Sequence, residues 1–222
     1  MALNAAEEET IEALKKWWDE NGKQLALMIV VVIAGYGGWL LWQNARLASA
    51  DAASDLYEEI LSIAAVTEGV TVSAADGARV LELADELRVE YSDSIYALFA
   101  SLFDAQQAVR VNDLEAAESS LQWILDNQQS GFFKQTDAGL ILTTQLRLGR
   151  VILARGDAER ALILVNNVNP VSYEPGFAEL RGDIYFALGR IVDAREAYVA
   201  AQQAGSNSDA LRMKLDNLSD ES

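Results

Sequence analysis

The side chains available for chemistry in this chain are overwhelmingly carboxylates: 34 Asp and Glu stand against 17 Lys and Arg, with no His and no Cys in 222 residues. Neighbouring acids such as Glu58-Glu59, Asp85-Glu86 and Glu115 with Glu118 have the residue types of a hydrolytic acid/base pair. Their helical surroundings place them instead on solvated faces. Without imidazole or thiolate, the usual proton shuttle near neutral pH, cysteine nucleophiles, disulfides, and zinc or iron–sulfur sites built on nitrogen or sulfur are excluded. No Gly-x-Ser-x-Gly turn, phosphate loop or dinucleotide fingerprint is present, and Asp51 to Asp55 lacks the later ligands of a calcium loop. The expectation is a protein that is not an enzyme and takes no cofactor and no metal. A formal charge of −17 also repels phosphate backbones, so no nucleic-acid partner is expected.

The run Leu25 to Trp42, LALMIVVVIAGYGGWLLW, carries no charge, and the uncharged stretch extends from Gln24 to Ala45. At about 1.5 Å per helical residue the run covers roughly 27 Å, close to a bilayer core of about 30 Å. Trp17 and Trp18 before the run, and Trp39 and Trp42 at its far end, stand where interfacial anchors belong. Lys15, Lys16 and Lys23 precede it and only Arg46 follows closely, so the tail is expected in the cytoplasm and the rest across the bilayer, in a bacterium the periplasm. Ala34 and Gly38, with Gly35 and Gly37 beside them, offer a small-residue face to another membrane helix, as do many membrane helices.

A cleaved leader ending at Ala48-Ser49-Ala50 is the competing reading. Against it stand the length of the apolar run, the acids Glu7, Glu8, Glu9, Glu12, Asp19 and Glu20, and the distance from the run to the small residues. A buried core helix is the third, and would have to hide apolar residues all round. Before the span, Ile11, Leu14 and Trp18 share one helical face, with Asn4 and Glu7 as a start signal and Asn21-Gly22 as a stop or bend. Either an interfacial helix or a solvated tail satisfies this pattern.

Beyond the span, apolar residues recur at helical rather than alternating spacing, which points to an all-α domain. A shift of 33 positions carries Gly149, Ile152, Gly156, Ala161, Val165 and Val168 onto Gly182, Tyr185, Gly189, Ala194, Tyr198 and Ala201. Small residues recur at helix crossings and turns, and larger residues fill the seam, the size pattern of a tetratricopeptide repeat. A weaker upstream copy uses Ala105, Ala108, Asn112, Ala117, Leu121 and Ile124, with Asn112-Asp113 as the turn that Gly156-Asp157 makes later. Between these copies, Asp126 to Thr136 reads as a loop or helix extension. Ala48 to Val66 and Ala74 to Tyr91 read as an earlier helix pair, joined by a stretch containing Gly69 and with Ser73 and Asp76 as a cap. Gly205-Ser206-Asn207 ends the last repeat. Leu211, Leu215 and Leu218 then form the stripe of a capping helix whose Arg212, Lys214 and Asp216 are expected to stay wet; a partner-binding helix is the alternative.

The order of parts is therefore a cytoplasmic tail over 1–23, a membrane helix over 24–45 and a tetratricopeptide-like helical solenoid over 46–222. The first helix of each repeat offers Phe99, Leu102, Gln106, Leu146, Arg150, Leu153, Glu179, Asp183 and Phe186 as groove-facing positions, with core packing favoured over partner contact for each apolar member.

The acidic tail with Glu9, Glu12 and Lys15, the pair Trp17-Trp18, the string Glu20-Asn21-Gly22-Lys23, a single span ending near Trp39 and Trp42, and an Ala/Ser-rich helix before repeats together resemble the YfgM family of ancillary SecYEG translocon subunits. The resemblance covers nearly the whole chain, with Trp17-Trp18 standing where paired phenylalanines are expected. It implies a bacterial inner-membrane protein with a periplasmic tetratricopeptide domain. It also implies association with the SecYEG translocon and the membrane-anchored chaperone PpiD, contact with nascent exported proteins, and a part in envelope-stress signalling. A tetratricopeptide assembly factor for another envelope complex, in division, secretion or cell-wall synthesis, is the alternative, because function does not follow from a repeat fold.

Overall fold

The computed structural model describes residues 2–65, 73–128 and 136–220, and every regular element among them is helical. In chain order these are α1 (Ala2–Ala65), α2 (Ala74–Glu90), α3 (Ile95–Arg110), α4 (Leu114–Asp126), α5 (Ala138–Ala154) and α6 (Ala158–Asn166). A short 3-10 turn at Val171–Tyr173 then leads to α7 (Glu174–Ala187), α8 (Ile191–Gln203) and α9 (Asp209–Asp220). The chain divides into two compact units, Met1–Ala52 and Ala53–Ser222.

The first unit consists of the greater part of α1. Among the described residues this is the one helix long and apolar enough to cross a membrane, and none of its apolar window is buried, which removes the core-helix reading. Two expected breaks are absent. Asn21-Gly22 does not stop the helix, and no boundary precedes Ala48. Asn21 donates its side-chain amide to the Trp17 carbonyl at 3.1 Å, and the Trp18 indole covers Gly22, so a Cβ there would meet it at 3.1 Å. No proline occurs before Pro170 to interrupt the backbone ladder. The helix begins at Ala2, ahead of the start signal at Asn4; the side chains of Asn4, Glu7 and Glu8 lie outside the described residues, as does the Gly69 linker.

In the second unit, α3/α4, α5/α6 and α7/α8 are consecutive helix pairs, preceded by the end of α1 with α2 and followed by α9. The turns within the pairs are made the same way. Asn112, Gly156 and Gly189 all have positive φ, at 59°, 90° and 72°. That left-handed step lets the next amide reach back into the helix just ended: Asp113 N donates to Ala108 O, Asp157 N to Ile152 O and Arg190 N to Tyr185 O, at 2.8–3.2 Å. Asp113 and Asp157 then cap the following helices by accepting from Ala116 N and Arg160 N. In the third pair Arg190 takes the cap position without a capping bond, and its side chain instead bonds Asp193 and stacks over Tyr185. The Ser73 cap of α2 forms, accepting from Asp76 N at 3.1 Å. Of the Asp126 to Thr136 segment, residues 129–135 lie outside the described ones.

Small residues set the crossings. A Cβ on Gly149 would meet the Leu180 side chain at 2.8 Å, and one on Gly182 would meet the Tyr198 ring at 2.3 Å. Three apolar clusters run along the unit. One joins Ala53 and Ile60 to α2 and α3, a larger one runs from Leu98 to Ile184, and a third joins Ala178, Ala194, Tyr198 and Ala201 to Leu211 and Leu218 of α9. Leu211 and Leu218 of α9 are thus buried against the last pair, but one expectation for this helix is corrected. Lys214 does not stay in water: it reaches Glu179 at 2.9 Å and Asp183 at 2.7 Å on α7.

Candidate interaction groove

The second unit carries a groove of about 580 Å³ between α3, α4 and α5. Its walls follow from helical spacing. Leu102, Ala105, Gln106, Val109 and Arg110 share one face of α3, and Arg147, Arg150, Val151 and Ala154 share one face of α5. Leu114 and Leu121 of α4, two turns apart, complete the lining. Leu121 and Val151 are buried and form the floor, whereas Arg110, Arg147 and Arg150 are exposed. Among the described residues, no Asp or Glu lines the groove. On α3 the single acid, Asp104, is buried elsewhere, accepting from Ser120 at 2.6 Å and from Arg88 at 2.9 Å; α5 contains no acid at all.

The groove stands out against the way the unit treats its other described basic side chains. Arg79 pairs with Glu59 and Glu82, and Arg88 with Asp85 and Asp104. Arg155 and Arg160 both pair with Glu118, and Arg181 pairs with Glu174. Arg190 pairs with Asp193, Arg212 with Asp209, and Arg195 donates to the Leu218 carbonyl.

Of the nine positions expected to face a groove, Leu102, Gln106 and Arg150 come together here. Phe99 packs instead against Tyr57, with ring centroids 6.0 Å apart, in an aromatic cluster that includes Tyr96 and Phe103. Leu146 and Leu153 are half-buried against the main core, with Leu146 over Gly176. Phe186 is exposed. Glu179 and Asp183 are occupied by Lys214, and Asp183 also accepts from the Tyr198 hydroxyl at 2.8 Å. Burial opposes the charge on Lys214, but the bonds to Asp183 and Glu179 outweigh it and hold its pKa above the ordinary lysine value. Burial, then the bond to Asp183, pushes the Tyr198 phenol well up as well. The sequence reading missed Arg110 and Arg147, although Arg147 lies one turn before Arg150 on the same face.

In the first unit, Trp17, Trp18, Trp39 and Trp42 are all about half exposed. Tyr36 lies 5.9 Å from Trp39, and the Arg46 guanidinium stands 4.7 Å over the Trp42 ring. A Cβ on Gly35, Gly37 or Gly38 would meet nothing within 4 Å, so these small positions are open, and Ala34 beside them is exposed. Among the described residues, no group of three or more acids converges as a metal site.

Paired helices with glycine crossings, left-handed turns and a terminal cap define a tetratricopeptide-type protein, here with an apolar helix at its N-terminal end. A family model described as a tetratricopeptide repeat-like domain matches residues 15–220. A protein of Haemophilus influenzae named ancillary SecYEG translocon subunit is 31% identical over 98% of this chain and all of its own length. Proteins of the same name from Escherichia coli K12 and Neisseria gonorrhoeae are 30% and 28% identical, covering 99% and 98% of this chain and all of theirs. No solved structure matches. The chain belongs to the YfgM family.

Proposed function

We propose that this protein is a membrane-anchored accessory subunit of the Sec translocon in the bacterial inner membrane. In this reading residues 1–23 lie in the cytoplasm, 24–45 cross the bilayer, and 46–222 form a periplasmic scaffold that passes exported proteins to chaperones such as PpiD. The observation that carries the reading is full-length similarity to relatives named ancillary SecYEG translocon subunit, spanning helix and repeats together. The excess of Lys15, Lys16 and Lys23 over Arg46 supports the orientation. The open face at Ala34, Gly35 and Gly38 suits a neighbouring membrane helix, and Trp17, Trp18, Trp39 and Trp42 suit the two interfaces. Tethering beside the translocon raises the local concentration of each partner, so weak contacts suffice.

Photo-crosslinkers placed at Ala34 and Gly38 in the membrane-embedded full chain are expected to capture translocon subunits, and a C-terminal reporter is expected to be active only in the periplasm. Crosslinks confined to division or cell-wall proteins would replace this reading with an assembly factor for those machines. A cytosolic reporter would overturn the topology.

A further inference from the structure

We infer that the α3–α4–α5 groove binds an acidic, amphipathic peptide segment of a partner protein, with apolar side chains on its floor and carboxylates on Arg110, Arg147 and Arg150. The inference rests on reading the second unit as a protein-interaction scaffold, and adds the chemistry of what it holds.

Three observations converge. Among the described residues of this unit, Arg110, Arg147 and Arg150 are the basic side chains that hold no hydrogen bond, ion pair or ring contact, and all three line one groove. Acids outnumber bases two to one in this chain, so an unpaired arginine is easily avoided, and three on one groove concentrate positive charge there. The groove also has an apolar floor, Leu121 and Val151 flanked by half-buried Leu102 and Leu114, which a purely polar anion would leave wet. Finally, all three cations are arginine, whose planar fork grips a carboxylate with two parallel bonds where lysine offers a point charge.

Charge complementarity thus asks for carboxylates, and the floor asks for apolar groups within the same ligand. A helix with apolar anchors three and four residues apart and acids at its flanks supplies both. The −17 charge of the whole chain disfavours nucleic acid, and a concave floor fits a peptide better than the plane of an anionic bilayer.

The test uses the full chain in non-ionic detergent and a fluorescein-labelled synthetic peptide of about twelve residues, long enough for three helical turns, with leucines on one face and glutamates flanking them. A matched peptide carries glutamine for glutamate. Anisotropy is expected to show binding of the acidic peptide that weakens about tenfold or more with the glutamine peptide, with R147Q/R150Q, and in high salt. The charge-matched control R190Q/R212Q, away from the groove, is expected to bind like the parent.

Because Arg147 and Arg150 are exposed and unpaired, their replacement leaves the fold intact, and circular dichroism checks this. Absence of binding, equal affinity for the two peptides, or equal loss in both double variants would overturn the inference. So would displacement of the acidic peptide by mixed micelles containing phosphatidylglycerol, with lipid binding lost in R147Q/R150Q, which would assign the groove to an anionic lipid surface. No translocon is present in this assay, so its failure leaves translocon association standing, and loss of that association leaves the peptide result standing.

Discussion

At the scale of single residues, the glycines show how little slack the repeat crossings have, and how unequal they are. A methyl group on Gly149 or Gly176 would meet the tip of Leu180 or Leu146 at 2.8 or 2.9 Å, and a leucine tip can rotate away. One on Gly182 would meet the Tyr198 ring at 2.3 Å, and that ring is buried and pinned by its hydroxyl to Asp183. Gly182→Ala is therefore expected to cost about 1–3 kcal/mol by overpacking, and more than Gly149→Ala or Gly176→Ala. Urea unfolding of the three variants ranks them; equal stabilities would mean that Tyr198 is free to move. The turn positions obey a different rule. Nothing lies within 4 Å of a Cβ on Gly156, but its φ of 90° is strained for any L side chain. Gly156→Ala is expected to lose about 1–2 kcal/mol through the backbone alone.

At the scale of elements, α9 closes the solenoid through Leu211, Leu215 and Leu218 below and Lys214 on Glu179 and Asp183 above. Lys214→Met keeps the stem and removes the ammonium, leaving two half-buried carboxylates facing each other; the expected loss is about 1–3 kcal/mol, read from thermal melts. The pH dependence has a fixed sign. The pKa values of Lys214 and Tyr198 are both raised in the folded chain, so their contribution is complete below the unfolded values near pH 10 and falls as pH climbs through the folded ones. Melting temperature is expected to drop more steeply above about pH 10 in the parent than in a Lys214→Met, Tyr198→Phe variant.

These elements also mark what the sequence made legible. The repeat register was readable because glycines at crossings and turns recur at a fixed offset, and the structure places Gly156, Gly189 and Asn112 at equivalent left-handed turns. The unbroken α1 was not readable, since Asn21-Gly22 is a stop signal by composition and only the Trp18 indole and the Asn21 side chain carry the helix through it. Nor was the part-buried Arg88–Asp104–Ser120 network, which joins three helices that no local pattern brings together. The groove was half legible for the same reason: Leu102, Gln106 and Arg150 follow from the repeat positions, whereas the lack of an ion pair on Arg110 and Arg147 among the described residues is a fact of the folded unit.

At the scale of the whole molecule, the question is which residues the helical unit needs in order to fold. Among the described residues, every apolar cluster draws on Ala53 or later positions, and the compact unit begins at that residue. The large apolar residues from Leu27 to Trp42 are exposed, many by more than half, and belong to the other unit. Removing residues 1–45 therefore takes away no core contact and strips the surface that water tolerates least. The remaining fragment retains most of the acidic residues and is expected to be soluble, strongly helical by circular dichroism and cooperative in melting, while losing retention by membranes. A fragment that sediments as aggregate, or melts without a transition, would mean that the anchor helix supplies part of the fold. In that event the full chain in detergent would be the smallest unit in which the groove has a defined shape.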